Sequence, residues 1–289
     1  MTSSATSVSH RSAPPPLAPE RAVAWPKRTA RSLANGLHVV VAESRAFPRV
    51  SANLYFRSGN AVVAHRAPGL ADMTATVVRT GTQSRASRQI EEDLRRMGAS
   101  LGTHAGADSS SIAVAGLAEA SRGILELIAD LARNASFPEQ EFERERRQRF
   151  EELRIERTTP GFLAGERLRR VLFGKHPYAI IAPTEEQVAA YSRDELVEFY
   201  RHHYVPADAL LIVVGDFAAD AMLDEIEKIF GDWKAPQPEP PRSPEPPRQS
   251  GRRVHLVGMP GNVQTQVLVG NLAITRRDPD WYRMQLANS

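Results

Sequence analysis

RVSANLYFRSGN, residues 49–60, alternates without a break: Val50, Ala52, Leu54 and Phe56 fall on one side of an extended chain, Ser51, Asn53, Tyr55 and Arg57 on the other. A period of two with β-branched and aromatic members predicts a strand of an antiparallel sheet, one face in the core and one face wet. Upstream, Asn35-Gly36 signals a turn, and LHVVVAE after it predicts a second strand. Downstream, ASLGTHAG and SSSIAVAGL supply two more strand-like runs, and ALLIVVG, residues 209–215, predicts a buried central strand.

Between and after these strands the period changes to that of a helix. GLADMTATVVRTGT, residues 69–82, places Leu70, Met73 and Val77 on one stripe and Asp72, Thr76, Arg79 and Thr80 on the opposite face. Ser87 caps a second predicted helix, closed by Gly98, and residues 118–135 form a third through Ile124, Leu127, Ile128 and Leu131. Residues 138–157 are a highly charged helix on which Glu143–Arg147 and Glu145–Arg149 stand four apart in the favourable order. Ser192-x-x-Glu195 is a capping box ahead of DELVEFYRHHY, and AMLDEIEKIFGDW is a final amphipathic helix. Strands followed by helices, strands, helices and a last strand predict an α+β fold, an antiparallel sheet packed by helices.

Composition sets the outer limits. Hydrophobic residues make up 42% and charged residues 25% of the 289, as in ordinary globular chains. Lys+Arg 37 against Asp+Glu 34 leaves a net charge of +3, too little for a nucleic-acid surface. Only Lys27, Lys175, Lys228 and Lys234 are lysines, an arginine bias read as that of a GC-rich genome. Without cysteine there is no thiolate nucleophile and no Cys-ligated metal. No apolar run is long enough to span a bilayer, and the first residues lack the apolar core of a secretory signal. A cytoplasmic protein is expected, or a periplasmic one if the true start lies upstream.

Residues 1–32, rich in Ser, Pro, Ala and Arg, read as a disordered arm, and residues 33–234 as the folded domain. APQPEPPRSPEPPRQSG, residues 235–251, is a proline-rich linker. Beyond it RRVHLVGM and VQTQVLVGNL predict two strands, and DPDWYRMQLANS a helix start. Thirty-eight residues cannot bury an independent core, so 252–289 read as the incomplete start of a second, similar domain in a chain truncated at Ser289.

ANGLHVVVAES, FPRVSANLYFRSGN, the GLA helix with its Gly-Thr turn, LRRMGASLGTHAGADSSSIAVAGL, FPEQEFERERRQRFEELR, GKHPYAI and SRDELVEFYRHHYVPADALLIVVGDF, in that order, resemble the N-terminal half-domain of the insulinase/pitrilysin metallopeptidases. The likeness runs over residues 33–289. In that family the GLA helix carries H-x-x-E-H, whose two histidines bind zinc and whose glutamate activates water, with a further glutamate ligand on a later helix. The resemblance puts Asp72 and Thr76 at the histidine positions, Ala75 at the general base and Glu152 at the distant ligand. Threonine is a poor zinc ligand, alanine accepts no proton, and Arg79 one turn on adds a fixed positive charge.

The resemblance therefore implies a non-catalytic member with no metal of its own. Such a subunit pairs with a zinc-bearing subunit as a heterodimer and completes the chamber that holds an extended peptide. The family's partner arginine and tyrosine for the substrate carbonyl would fall beyond Ser289. Two alternatives stand beside this reading: a structural scaffold, as in the core subunits of ubiquinol–cytochrome c reductase, and an active peptidase with an unorthodox site of Asp72, His104 and Glu152. Of the remaining histidines, His202 and His203 adjoin and cannot chelate as an i, i+4 pair, and His176 before Pro177-Tyr178 reads as a packing residue. Asp216 reads as a cap for the helix that follows it.

Overall fold

The computed structural model describes residues 25–235, 244–248 and 250–288. Among the described residues six strands form one sheet: β1 (Arg28–Ser32), β2 (His38–Glu43), β3 (Arg49–Phe56), β4 (Ser100–Ala105), β5 (Ser110–Leu117) and β6 (Ala209–Gly215), in the order β1-β2-β6-β3-β5-β4. Every pairing is antiparallel except β2 with β6, which run parallel, so the expected antiparallel sheet is a mixed one. The parallel pair arises because β6 returns from a long helical excursion and inserts between β2 and β3. The strand whose alternation opened the sequence is flanked by β5 and β6, and its apolar face is closed: Val50, Ala52, Leu54 and Phe56 are all buried.

Ten helices accompany the sheet among the described residues: α1 (Asn60–Val63), α2 (Leu70–Val78), α3 (Ser87–Arg96), α4 (Ser121–Asn134), α5 (Glu139–Glu156), α6 (Pro160–Phe173), α7 (Glu185–Ala190), α8 (Arg193–His203), α9 (Ala219–Phe230) and α10 (Trp281–Ala287). Helices α2, α4 and α9 lie against the sheet through β4 and β5, β3 and β5, and β2 respectively. The stripe expected on α4, Ile124, Leu127, Ile128 and Leu131, is wholly buried. The Ser192–Glu195 capping box at α8 is present, and a second, Thr184–Gln187, opens α7. Gly98 ends α3 with φ of 54°, a backbone that a side chain would strain.

Several expectations need correction. Order begins before Leu33: Arg28–Ser32 form β1, because the 33–37 turn folds them back onto β2, and Arg31 pairs with Asp224 and Glu227 of α9. Residues 1–24 of the expected arm, and 236–243 and 249 of the expected linker, lie outside the described residues. Ser87 is the first residue of α3 rather than its cap, which is Ala86 with no side-chain bond. The i, i+4 pairs on α5 are absent: Glu143 pairs with Arg146, Glu145 with Arg144, and Arg149 with Glu156. Strand β6 is central but closed on one face only, Val214 remaining 37% exposed. Helices α1, α6 and α7 carry no expectation in the sequence reading.

Neither RRVHLVGM nor VQTQVLVGNL is a strand, although α10 falls where a helix start is expected. A strand needs a ladder partner, and no sheet edge reaches these segments among the described residues. Their apolar side chains stand in the open, Leu256 at 93% and Val263 at 98% exposure.

The heart of the core is aromatic. The Phe56 ring lies 4.4 Å from that of Tyr204 and 6.3 Å from that of Trp233. Phe56→Ala leaves a cavity among these rings and is expected to destabilise the chain by about 3–5 kcal/mol. Tyr55→Ala, one residue away on the wet face, should stay within about 0.5 kcal/mol. Urea denaturation of the two variants checks the alternation directly, since equal losses would contradict it.

Candidate functional site

Helix α2 starts from Gly69, whose φ of 80° turns the chain sharply and whose Cβ position lies 2.7 Å from the Tyr191 hydroxyl. That hydroxyl donates to the carbonyl of Pro68, fixing the helix entry, and burial pushes its pKa well up. The helix is buried round most of its circumference: Leu70, Ala71, Met73, Thr74, Ala75, Val77 and Val78 all lie inside. Thr80, expected on the polar face, is buried too, its Oγ1 donating to the carbonyl of Val77 at 2.8 Å. Asp72, Thr76 and Arg79 remain, along one narrow edge.

That edge faces α5 across a cleft of about 230 Å³. Asp72, Thr76 and Arg79 line one wall, and Glu145, Gln148, Arg149 and Glu152 the other. The three α2 positions that the resemblance singles out are thus treated differently by the fold. Asp72 and Thr76 reach the cleft that Glu152 also lines, while Ala75 is buried in the core at 2% exposure.

Asp72 accepts a hydrogen bond from Asn60 Nδ2 at 2.8 Å. Water reaches it through the clefts on either side, yet enough protein surrounds the carboxylate that desolvation raises its pKa. The bond from Asn60 and the charges of Arg149 and His104 hold it only partly back. Thr76 spends its hydroxyl proton on the Asp72 carbonyl, at 3.0 Å. Glu152 accepts from Gln148 Nε2 at 2.9 Å and lies 3.6 Å from Arg149. Arg149 itself forks onto Glu156 with bonds of 2.8 and 3.2 Å. Burial disfavours its charge, but the bonds and charge of Glu156, then Glu152 and Asp72, outweigh it and raise the guanidinium pKa.

A second cleft, about 350 Å³, opens on the other side of Asp72, between α1, β4 and the 177–183 segment. His104 from β4, Arg169 and Tyr178 are among its lining. Burial and a 2.5 Å bond to Asp108 push the Tyr178 phenol up to about 12. Asp72 belongs to both clefts, but His104 lines one and Glu152 the other. The three residues of the unorthodox-site alternative therefore do not share a cavity.

The zinc implied by the family resemblance does not fit these residues. A catalytic zinc takes three protein ligands and a water, imidazole being the usual donor beside carboxylate. Here the α2 edge offers one carboxylate and a hydroxyl already committed to the backbone, and a guanidinium occupies the facing wall. Among the described residues no three His, Asp or Glu side chains gather as a metal-binding group.

The other sequence candidates are structural. His202 Nδ1 sits 2.8 Å from the carbonyl of Glu198, while His203 points elsewhere, 3.1 Å from Ser58 Oγ, with its pKa lowered by burial. His176 accepts from the Tyr178 N–H at 3.1 Å and packs against Phe173 and Tyr178, a packing and capping role. Asp216 does not cap α9. Ala218 is the cap residue, and Glu43 from β2 accepts the Ala219 N–H at 2.7 Å. Sequence reasoning missed Arg149, Asn60 and Tyr191. A signal existed for the first alone: three residues before Glu152, Arg149 shares its helix face.

Known proteins with the same fold agree on the family. A family model described as "Insulinase (Peptidase family M16)" matches residues 38–178, and one described as "Peptidase M16 inactive domain" matches 190–289. The uncharacterized zinc protease YmxG of Bacillus subtilis is 23% identical over 203 residues, 70% of this chain and 49% of that protein. Subunit 1 of the mitochondrial cytochrome b-c1 complex of Bos taurus is 24% identical over 206 residues, 71% of this chain and 43% of that one. Among solved structures, a peptidase M16 inactive domain from Pseudomonas fluorescens superposes with a TM-score of 0.71 at 22% identity, covering 76% of this chain and 54% of the other. The chain spans about half the length of the curated relatives it matches.

The raised pKa of Asp72 has a sign that can be checked. Because the folded state holds the proton more tightly than the unfolded one, ionisation of Asp72 costs stability as pH rises through the folded pKa. Asp72→Asn keeps an acceptor for Asn60 and cannot ionise. Its melting temperature should exceed that of the natural protein at pH 7, and the difference should vanish below the ordinary value of 3.8. A variant less stable at pH 7 would reverse the assignment.

Proposed function

Since the chain belongs to the insulinase (M16) peptidase family, we propose that it is a non-catalytic member that completes the peptide-binding chamber of a zinc endopeptidase whose metal sits on another chain. One observation carries the reading: at the edge of α2 that faces α5, a carboxylate, a self-bonded hydroxyl and a guanidinium stand where the family resemblance calls for a metal and its ligands. The buried methyl of Ala75 leaves no proton acceptor for water at the position of the base.

What remains available to such a subunit is positioning. An extended peptide needs walls and hydrogen-bonding groups that hold it while another chain supplies the metal, and ordered binding of this kind can account for a large part of a rate. Two clefts flanking Asp72, with His104, Arg169 and Tyr178 on one side and Arg79 on the other, supply polar groups of both signs. The division into a domain that takes in β1 and runs to 234, a linker over 235–251 and the start of a second domain over 252–289 belongs to the same proposal.

A second reading rests on a different observation. Relatives include subunit 1 of the mitochondrial cytochrome b-c1 complex, from Bos taurus and Caenorhabditis elegans. On that model the fold would serve as an assembly surface with no part in proteolysis. Among the described residues no helix is long and apolar enough to cross a membrane.

The two are separated by mixing the protein with a zinc-bearing family member from the same source and following cleavage of an extended peptide. The chamber reading expects kcat/KM to rise until the two chains are equimolar and then level off. A rate indifferent to the added chain throughout the titration favours the scaffold.

A further inference from the structure

The cleft between α2 and α5 is not simply short of ligands. Arg149 stands on its far wall, and its guanidinium is held on two sides: by the fork to Glu156 at 2.8 and 3.2 Å, and by Glu152 at 3.6 Å. Asp72 lines the opposite wall of the same cleft. Two carboxylates of α5 therefore hold one cation, and Asp72 lines the same cleft from α2, where zinc-bearing relatives are expected to hold their metal. The Arg149 side chain is only 25% exposed, so its charge is incompletely screened by water. Arg79 lines the same cleft as a second cation from the α2 side.

We infer that Arg149 is a built-in substitute for the metal: its guanidinium supplies the positive charge that the facing carboxylates require, and by occupying that place it keeps divalent cations out. Loss of the metal motif and presence of this arginine are then two halves of one arrangement. Without the arginine, Glu152 on one wall, with Glu156 one turn along α5, and Asp72 on the other would lack the counter-charge that Arg149 supplies. The arginine provides it permanently, and its planar fork suits the Glu156 carboxylate better than a lysine ammonium would. The inference concerns this chain's own electrostatics and stands whether the protein serves a peptidase partner or a scaffold.

Two measurements test it. In the first, zinc is titrated against a chromophoric chelator for Asp72→His/Thr76→His and for the same pair combined with Arg149→Met, with cobalt(II) absorption as a report of tetrahedral ligation. Both histidine positions line the cleft rather than the core, so the fold should tolerate them, and circular dichroism checks it. Zinc should bind about 10- to 100-fold more tightly when Arg149 is gone. Equal affinities with and without the arginine, strong or negligible, would overturn the inference. The second measurement needs no reinstated histidine and covers a failure of the first set to fold. Terbium(III), a hard cation suited to carboxylates, is added to the natural protein and to Arg149→Met. Luminescence should appear with the variant and be absent with the natural protein, and Arg149→Lys should stay dark because the charge is kept. Terbium binding that ignores residue 149 would sink the idea.

Discussion

Helix α2 is held on nearly every side, with the sheet beneath it, α8 and α5 packed against it, and its entry pinned by the Tyr191 hydroxyl on Pro68. A helix so enclosed has little freedom to rotate, because any turn about its axis would expose Leu70, Met73 or Val77 and bury Asp72. The edge it presents to α5 is therefore set by the core rather than by the polar residues themselves. Metal binding would need that rigidity, to hold two ligands at fixed spacing. Here the same rigidity holds a carboxylate and a hydroxyl in place, and nothing in the core must change when the side chains on the edge do.

The electrostatics of the cleft follow from this confinement. Protein surrounds the Asp72 carboxylate closely enough that desolvation disfavours its charge, which Asn60, Arg149 and His104 offset only in part. Glu152 and Glu156 lie one turn apart on α5 and share Arg149 between them. What looks in sequence like an unremarkable charged helix is divided by packing into a solvated face, with pairs such as Arg154–Glu151, and an inward face with an organised ion pair. Only the second has consequences for what the cleft can bind, since the solvated pairs are screened.

The alternation in β3, the stripe on α4, the capping box of α8 and the central place of β6 are all legible in the sequence, because each is a local pattern whose period matches the geometry it produces. The misses have equally physical origins. Strand β1 lies in a segment with no apolar period, since it is an edge strand held by ladder bonds to β2 and by Arg31 on α9. The parallel pairing of β2 with β6 depends on residues some 170 positions apart, which no local window contains. The expected strands after residue 251 have strand-like sequences and no edge to join, and pattern alone does not make a strand.

At the candidate site the sequence determined composition: no imidazole at 72 or 76, no carboxylate at 75, a glutamate at 152. Those identities hold wherever the residues lie: a methyl accepts no proton, and a threonine hydroxyl is a poor zinc ligand. Only the tertiary structure decided which charges meet. It split Asp72, His104 and Glu152 between two clefts, buried Ala75, and turned Arg149 toward Glu156 instead of its helical neighbour Glu145. The reason is that electrostatic partnership depends on distance and shared burial, and both are properties of the packed helices, not of spacing along the chain.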